Sequence, residues 1–150
     1  MQVNFELAHR QDIPTILGMM ERFYQIDGYP FREAKSRHNL NLFLSNPELG
    51  RFWLIRVADE VAGYIVLAYG FSFEYGGRDA FIDEFFIEAP YRDRGIGRQT
   101  IEFVAEAAVQ LGVHAIHLEV ENHNDKGNRL YARQGFEGKE RAMLTKWLLT

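Results

Sequence analysis

The chain contains no cysteine, which excludes disulfides, thiolate metal sites and a thiol nucleophile, and leaves any chemistry to oxygen and nitrogen groups. It has no apolar run near the roughly 20 residues that span a bilayer. Its first residues, Met1-Gln2-Val3-Asn4-Phe5-Glu6, lack the basic and apolar regions of a secretion signal. The expectation is a cytoplasmic protein with no membrane partner. Positive charge is also short: 17 Lys and Arg against 21 Asp and Glu give a net charge of −4, which argues against broad binding to a nucleic-acid backbone. What is present is an ordinary globular composition, 47% hydrophobic and 25% charged, over 150 residues. That length suits one domain, spanning 1–150, with a single core.

Hydrophobic spacing orders the elements. Val3 to Leu7 alternate like a strand, and Ile13, Ile16, Leu17, Met20, Phe23 and Tyr24 then recur at helical spacing behind a candidate Asp12 cap. A loop over residues 25–30 precedes a second helical pattern through Phe31, Ala34, Leu40, Phe43 and Leu44, which ends near Asn46-Pro47. Phe52 to Val57 and Val61 to Phe71 form a hairpin about a short polar turn. Ala80 to Ile87 is a fourth, mostly apolar strand.

Ile101, Val104, Ala105, Ala108 and Leu111 mark an amphipathic helix that stops at Gly112, and Ile116, Leu118 and Val120 alternate as a fifth strand. A short helix through Leu130 and Tyr131 halts at Gly135, and the tail from Phe136 to Leu149 reads as one or two closing strands. The strand–helix–strand order around the fourth strand requires parallel neighbours, whereas the hairpin is antiparallel. An α/β (α+β) fold with a mixed sheet follows.

The most informative stretch is Arg92-Asp93-Arg94-Gly95-Ile96-Gly97-Arg98, between the fourth strand and the helix after it. A helix start offers unpaired N–H groups and a partial positive charge, and glycines let a phosphate approach the backbone. Arg92, Arg94 and Arg98 add cationic contacts. A dinucleotide fingerprint would require a third glycine where Thr100 stands, and a Walker loop would require Gly-Lys-Ser/Thr. The first is incomplete and the second absent. An isolated G-x-G is also compatible with a plain tight turn.

Arg92, Gly95 and Gly97 fill the R/Q-x-x-G-x-G/A signature, and Asn124, Gly127, Leu130, Tyr131, Gly135 and Phe136 follow N-x-x-A-x-x-L-Y-x-x-x-G-F with Gly127 in place of alanine. On these two motifs the chain resembles the GNAT superfamily of N-acetyltransferases. The resemblance follows the element order of the whole chain, with specific residues between about Phe81 and Phe136. It implies a twisted sheet of about six to seven strands flanked by about four helices, with strands four and five parallel and splayed. It also implies acetyl-CoA as co-substrate, no metal, and a small-molecule amine as acceptor. Phe85, Phe86 and Ile87 would line the pantetheine arm, with the N–H near Ile87 polarising the thioester carbonyl. Asp93, Arg94, Gly95, Ile96, Gly97 and Arg98 would cradle the pyrophosphate with Arg92 at the loop's edge, and Asn124 would bind the CoA arm. Tyr131 occupies the place of the residue that protonates the departing thiolate. A phenol pKa of about 10 and a thiol pKa of about 8.5 are near enough for that transfer.

The acceptor needs the opposite service. An alkyl ammonium with a pKa of about 10.4 pays roughly 4.6 kcal/mol to be neutral at pH 7. Asp83 and Glu84 are the candidate bases. Strand alternation sends neighbouring side chains to opposite faces, so one of them is expected in the acceptor groove unless a bulge intervenes. Locally the chain looks like the polyamine acetyltransferase type, in which the position of Asp83 holds the base, and Glu84 stays open. Glu74, Asp79, Asp83 and Glu84 accompany Phe71, Phe73 and Tyr75 as surroundings for a cation. In the family the loop between the first two helices, here with Tyr24, Asp27 and Tyr29, shapes the acceptor site.

The five histidines show no metal-ligand spacing on one helix face. Trp53 and Trp147 read as packing residues, and the apolar tail Met143 to Leu149 suits either a homodimer interface or a last internal strand. A peptide N-terminal or lysine acetyltransferase and a non-catalytic acyl-CoA sensor are the competing readings.

Overall fold

The computed structural model describes residues 2–149. The contacts divide the chain into two compact units, Met1–Glu119 and Val120–Thr150.

The first unit holds β1 (Val3–Leu7), α1 (Ile13–Ile26), α2 (Glu33–Leu44), β2 (Gly50–Val57), β3 (Glu60–Ser72), β4 (Gly77–Ile87), α3 (Ile96–Gln110) and β5 (Ile116–His117). The sheet order is β1-β2-β3-β4-β5. The first three pairings are antiparallel, and β4 with β5 is parallel.

Alternation gives the sheet two apolar faces. On one, Phe52, Leu54, Tyr64, Val66 and Phe86 pack with Ile13, Ile16, Leu17, Met19 and Met20 of α1 and Leu40 of α2. On the other, Val3, Phe5, Ile55, Phe85 and Ile87 meet Ile96 of α3, and Phe103 packs between Phe5 and Trp53 with ring centroids at 4.4 and 5.3 Å. Arg22 of α1 makes a two-pronged ion pair with Glu88, at 3.0 and 2.7 Å, which ties that helix to the segment leaving β4.

Asp12 precedes α1 as expected, but its carboxylate accepts the His9 N–H at 2.8 Å and no side-chain cap closes the helix. The β4–β5 ladder consists of Ala80 with Ile116 and Phe81 with His117, so β5 is shorter than the alternation to Val120 suggests.

The second unit contains α4 (Asp125–Arg133). Asn124 caps it by accepting the Gly127 N–H at 2.9 Å, and the Tyr131 and Phe136 rings meet edge to face at 5.7 Å. Among the described residues the tail forms no strand, which corrects the six to seven expected to five. Its apolar residues stand together rather than alternating. Met143, Leu144, Trp147, Leu148 and Leu149 are all exposed, so Trp147 is not a packing residue here.

Candidate active site

The candidate site is built around an irregularity in β4. Glu84 pairs with Val66 of β3, but the next β3 residue, Leu67, pairs with Ile82. Asp83 is therefore an extra, unpaired residue, a β-bulge. A regular strand would direct Asp83 and Glu84 to opposite faces. With the bulge, both carboxylates line one cavity of about 200 Å3. The expectation that only one acid would reach the groove is corrected, and the bulge supplies the reason.

α1 contributes Met20 and Tyr24 to the cavity wall, and α2 contributes Ser36, Asn39, Leu40 and Phe43. The sheet adds Phe52, Val66 and Ala68. Among the described residues that line it there is no lysine, arginine or histidine. The cavity is thus apolar over most of its wall and anionic at one end.

The two acids differ in surroundings. Glu84 accepts two phenol hydrogen bonds, from Tyr64 to Oε1 and from Tyr24 to Oε2, each 2.6 Å long. Tyr64 is fully buried. Burial pushes the Glu84 pKa up, the two phenols pull it part of the way back, and the charge of Asp83 adds to the rise. Asp83 keeps contact with solvent, and the partial desolvation of its carboxylate by the cavity wall raises its pKa. Both tyrosines are raised in turn, first by burial and then by the carboxylate they serve, so they remain donors.

Tyr24 is the member of the expected acceptor set that the cavity takes in. Asp27 and Tyr29 are exposed beyond the end of α1, and Phe73 and Glu74 lie on the exposed β3–β4 turn. Asp79, read from the sequence as a groove acid, is buried and bonded to His117 instead. Sequence reasoning missed Tyr64. Its place in an apolar run marks a core residue, and nothing local reveals that its hydroxyl meets a carboxylate twenty residues away.

Among the described residues, β4 past Phe81 is paired only on its β3 side, so Phe85, Phe86 and Ile87 lie along an edge that β5 does not cover. The turn that follows leaves backbone N–H groups open at a helix start. Asp93 has φ +62 and Gly95 φ +79, and Gly95 caps α3 with no side chain. The first bond of α3 runs from Gln99 to the Gly95 carbonyl at 3.2 Å, which leaves the N–H groups of Ile96, Gly97 and Arg98 unpaired within the helix.

The arginines are otherwise engaged. Arg92 donates to the Ile87 carbonyl at 2.8 Å and lies over the Phe86 ring, Arg94 lies over Tyr91, and Arg98 pairs with Glu102 at 3.0 Å.

In the second unit, a Cβ on Gly127 would stand 2.8 Å from the Asn124 Cγ. The glycine that departs from the family pattern makes room for the cap. Burial raises the Tyr131 pKa, which keeps the phenol protonated at neutral pH.

The profile of the "Acetyltransferase (GNAT) family" matches residues 17–136. The mouse thialysine N-epsilon-acetyltransferase is 33% identical over 82 residues, 52% of this chain and 48% of its own length. The L-ornithine N5-acetyltransferase NATA1 of Arabidopsis thaliana is 27% identical over 73% of this chain and 47% of its own. The chain spans about half the length of the curated relatives it matches. A crystal structure of the integron cassette protein HFX_CASS3, from the mobile metagenome of Cole Harbour Salt Marsh, superposes with a TM-score of 0.87 at 35% identity. That match covers 97% of this chain and 91% of the other. With this fold and a profile match over most of its length, the chain belongs to the GNAT family of acetyltransferases.

Proposed function

We propose that this protein transfers the acetyl group of acetyl-CoA to a small cationic primary amine by direct attack within a ternary complex. The observation that carries this reading is the pair of bulge carboxylates in a cavity with no cation among its described lining residues. Such a cavity favours an ammonium group on an aliphatic chain, and the relatives named for thialysine and L-ornithine support a small amine acceptor.

The residues divide the work. Glu84, held in a fixed position by two phenols, binds the ammonium. Asp83 has no phenol donor and a raised pKa, so it accepts the proton that the amine must lose before attack. The free edge from Phe85 to Ile87 binds the pantetheine arm, and the Ile87 N–H stabilises charge on the carbonyl oxygen. The unpaired N–H groups at the start of α3 hold the pyrophosphate, with Asn124 on the CoA arm. Acetyl-CoA supplies an acyl group already activated as a thioester. Tyr131 supplies the proton that the leaving sulfur takes up.

The test is thiol release from acetyl-CoA against a panel of diamines, polyamines, aminoglycosides, amino acids and short peptides. Turnover on a small amine supports the proposal. Turnover on peptides alone would replace the acceptor class, and acetyl-CoA binding with no turnover on any acceptor would replace the enzyme by a sensor.

A further inference from the structure

The backbone ladder that joins β4 to β5 ends after two residue pairs, and at its last rung a side-chain bond crosses between the strands. His117 Nε2, opposite Phe81, lies 3.0 Å from the Oδ2 of Asp79. Asp79 is only 6% exposed, so little water competes for its carboxylate. The imidazole touches Tyr75 and Phe81, with ring centroids at 4.6 and 5.0 Å, which restricts its rotation.

The third neighbour is a glycine. Gly70 pairs with Asp79 across β3 and β4, and a Cβ there would lie 2.7 Å from Asp79 Oδ1. Any other residue at position 70 would press on the carboxylate. Two strands thus leave room for one bond, and the aromatic rings hold it in place.

We infer that the Asp79–His117 bond is a cross-strand lock that fixes where and how widely β4 and β5 part, and so positions the edge along which acetyl-CoA binds. This rests on the reading of that edge as the acetyl-CoA slot. The two-pair ladder is preceded by backbone bonds from the His114 N–H to the Arg78 carbonyl at 2.8 Å and from the Ala80 N–H to the Ala115 carbonyl at 3.0 Å, so the Asp79–His117 bond stands at the end where the strands part. An apolar contact at this rung would add adhesion without direction, whereas a buried hydrogen bond specifies one geometry. Asp79 precedes the bulged Asp83 by four residues on the same strand, so a shift of the rung is passed along β4 to the cavity acids. Asp79 and His117 are positioning residues: they act through the backbone and not on the reacting atoms.

The test is the dissociation constant for acetyl-CoA, measured calorimetrically well below each variant's melting temperature. Asp79→Ala removes the acceptor, His117→Phe removes the donor, and Gly70→Ala displaces the carboxylate while leaving both partners in place. Asp79→Asn retains an oxygen that can accept from Nε2. The lock predicts at least tenfold weaker binding for the first three and less than threefold for Asp79→Asn. If the alanine at 79 prevents folding, Gly70→Ala and His117→Phe carry the comparison.

Variants that melt lower yet bind acetyl-CoA as the wild type does would overturn the lock and leave a merely stabilising pair. Asp79→Asn binding as weakly as Asp79→Ala would overturn it too. Failure of the wild type to bind acetyl-CoA would overturn the slot, and the lock with it.

Discussion

Replacing Tyr64 by phenylalanine removes a single oxygen from a fully buried position and takes away one of the two donors that hold Glu84. The ring, its packing against Phe52 at 5.2 Å and its contact with Phe86 at 6.0 Å are kept. What is lost is a hydrogen bond to a charged group, worth about 1.5–3 kcal/mol, at a site where no water can replace it. For a chain of this size about 2–4 °C of melting temperature accompanies each kcal/mol, so Tyr64→Phe should melt about 3–12 °C below wild type at pH 7.

Tyr24→Phe removes the other donor from a half-buried position that borders the cavity, where water can take its place. Its loss should stay below about 1 kcal/mol. The pH dependence follows from Glu84. Both phenols lower its pKa, so losing one leaves it higher in the folded protein. That contribution is present when Glu84 is ionised and is lost as the pH falls through its raised range. The gap between wild type and Tyr64→Phe should therefore narrow on acidification. Melts across pH check this. A Tyr64→Phe variant within about 1 °C of wild type, a larger loss for Tyr24→Phe, or a gap that does not change with pH would refute the reasoning.

Three further predictions follow from single residues. Partial desolvation raises the Asp83 pKa while the side chain keeps solvent contact, so its ionised form costs little stability above the ordinary carboxylate range; Asp83→Asn should be as stable as wild type or slightly more so at pH 7 in urea melts, with any advantage fading as the pH falls. Gly95 caps α3 at φ +79 with open space where a Cβ would go, so Gly95→Ala should cost about 1–2 kcal/mol from backbone strain alone, visible in thermal melts, and weaken acetyl-CoA binding. In Gly127→Ala, a gain of about 1 kcal/mol in helix propensity is offset by about 1 kcal/mol from the disturbed Asn124 cap. Circular dichroism should then show little change in melting, while calorimetry shows weaker acetyl-CoA binding.

Much of this was legible in the sequence because the signals are local. The 3.6-residue spacing of Ile13, Ile16, Leu17 and Met20 recurs as the buried stripe of α1, and the apolar run of β4 recurs between two packed faces. Gly95 and Gly97 mark the turn that opens α3 by residue type alone.

What escaped depends on contacts between distant residues. A bulge is a mismatch of two strands, so Asp83 and Glu84 read as neighbours facing apart in the sequence, and the mismatch shows only in the pairing of Val66 with Glu84 and of Leu67 with Ile82. Asp79 looked like one more groove acid because nothing near it in sequence reveals His117. The tail has the apolar content of a strand without its alternation: three consecutive residues, Trp147, Leu148 and Leu149, cannot share a face.

The division of labour between Asp83 and Glu84 is best tested by steady-state kinetics of Asp83→Asn and Glu84→Gln with the preferred amine at saturating acetyl-CoA. The account predicts that Asp83→Asn lowers kcat by about 100-fold or more, the usual scale for a lost general base, with the acceptor KM little changed. Glu84→Gln should chiefly raise the acceptor KM. Wild-type kcat in Asp83→Asn, or the two effects exchanged between the variants, would contradict it.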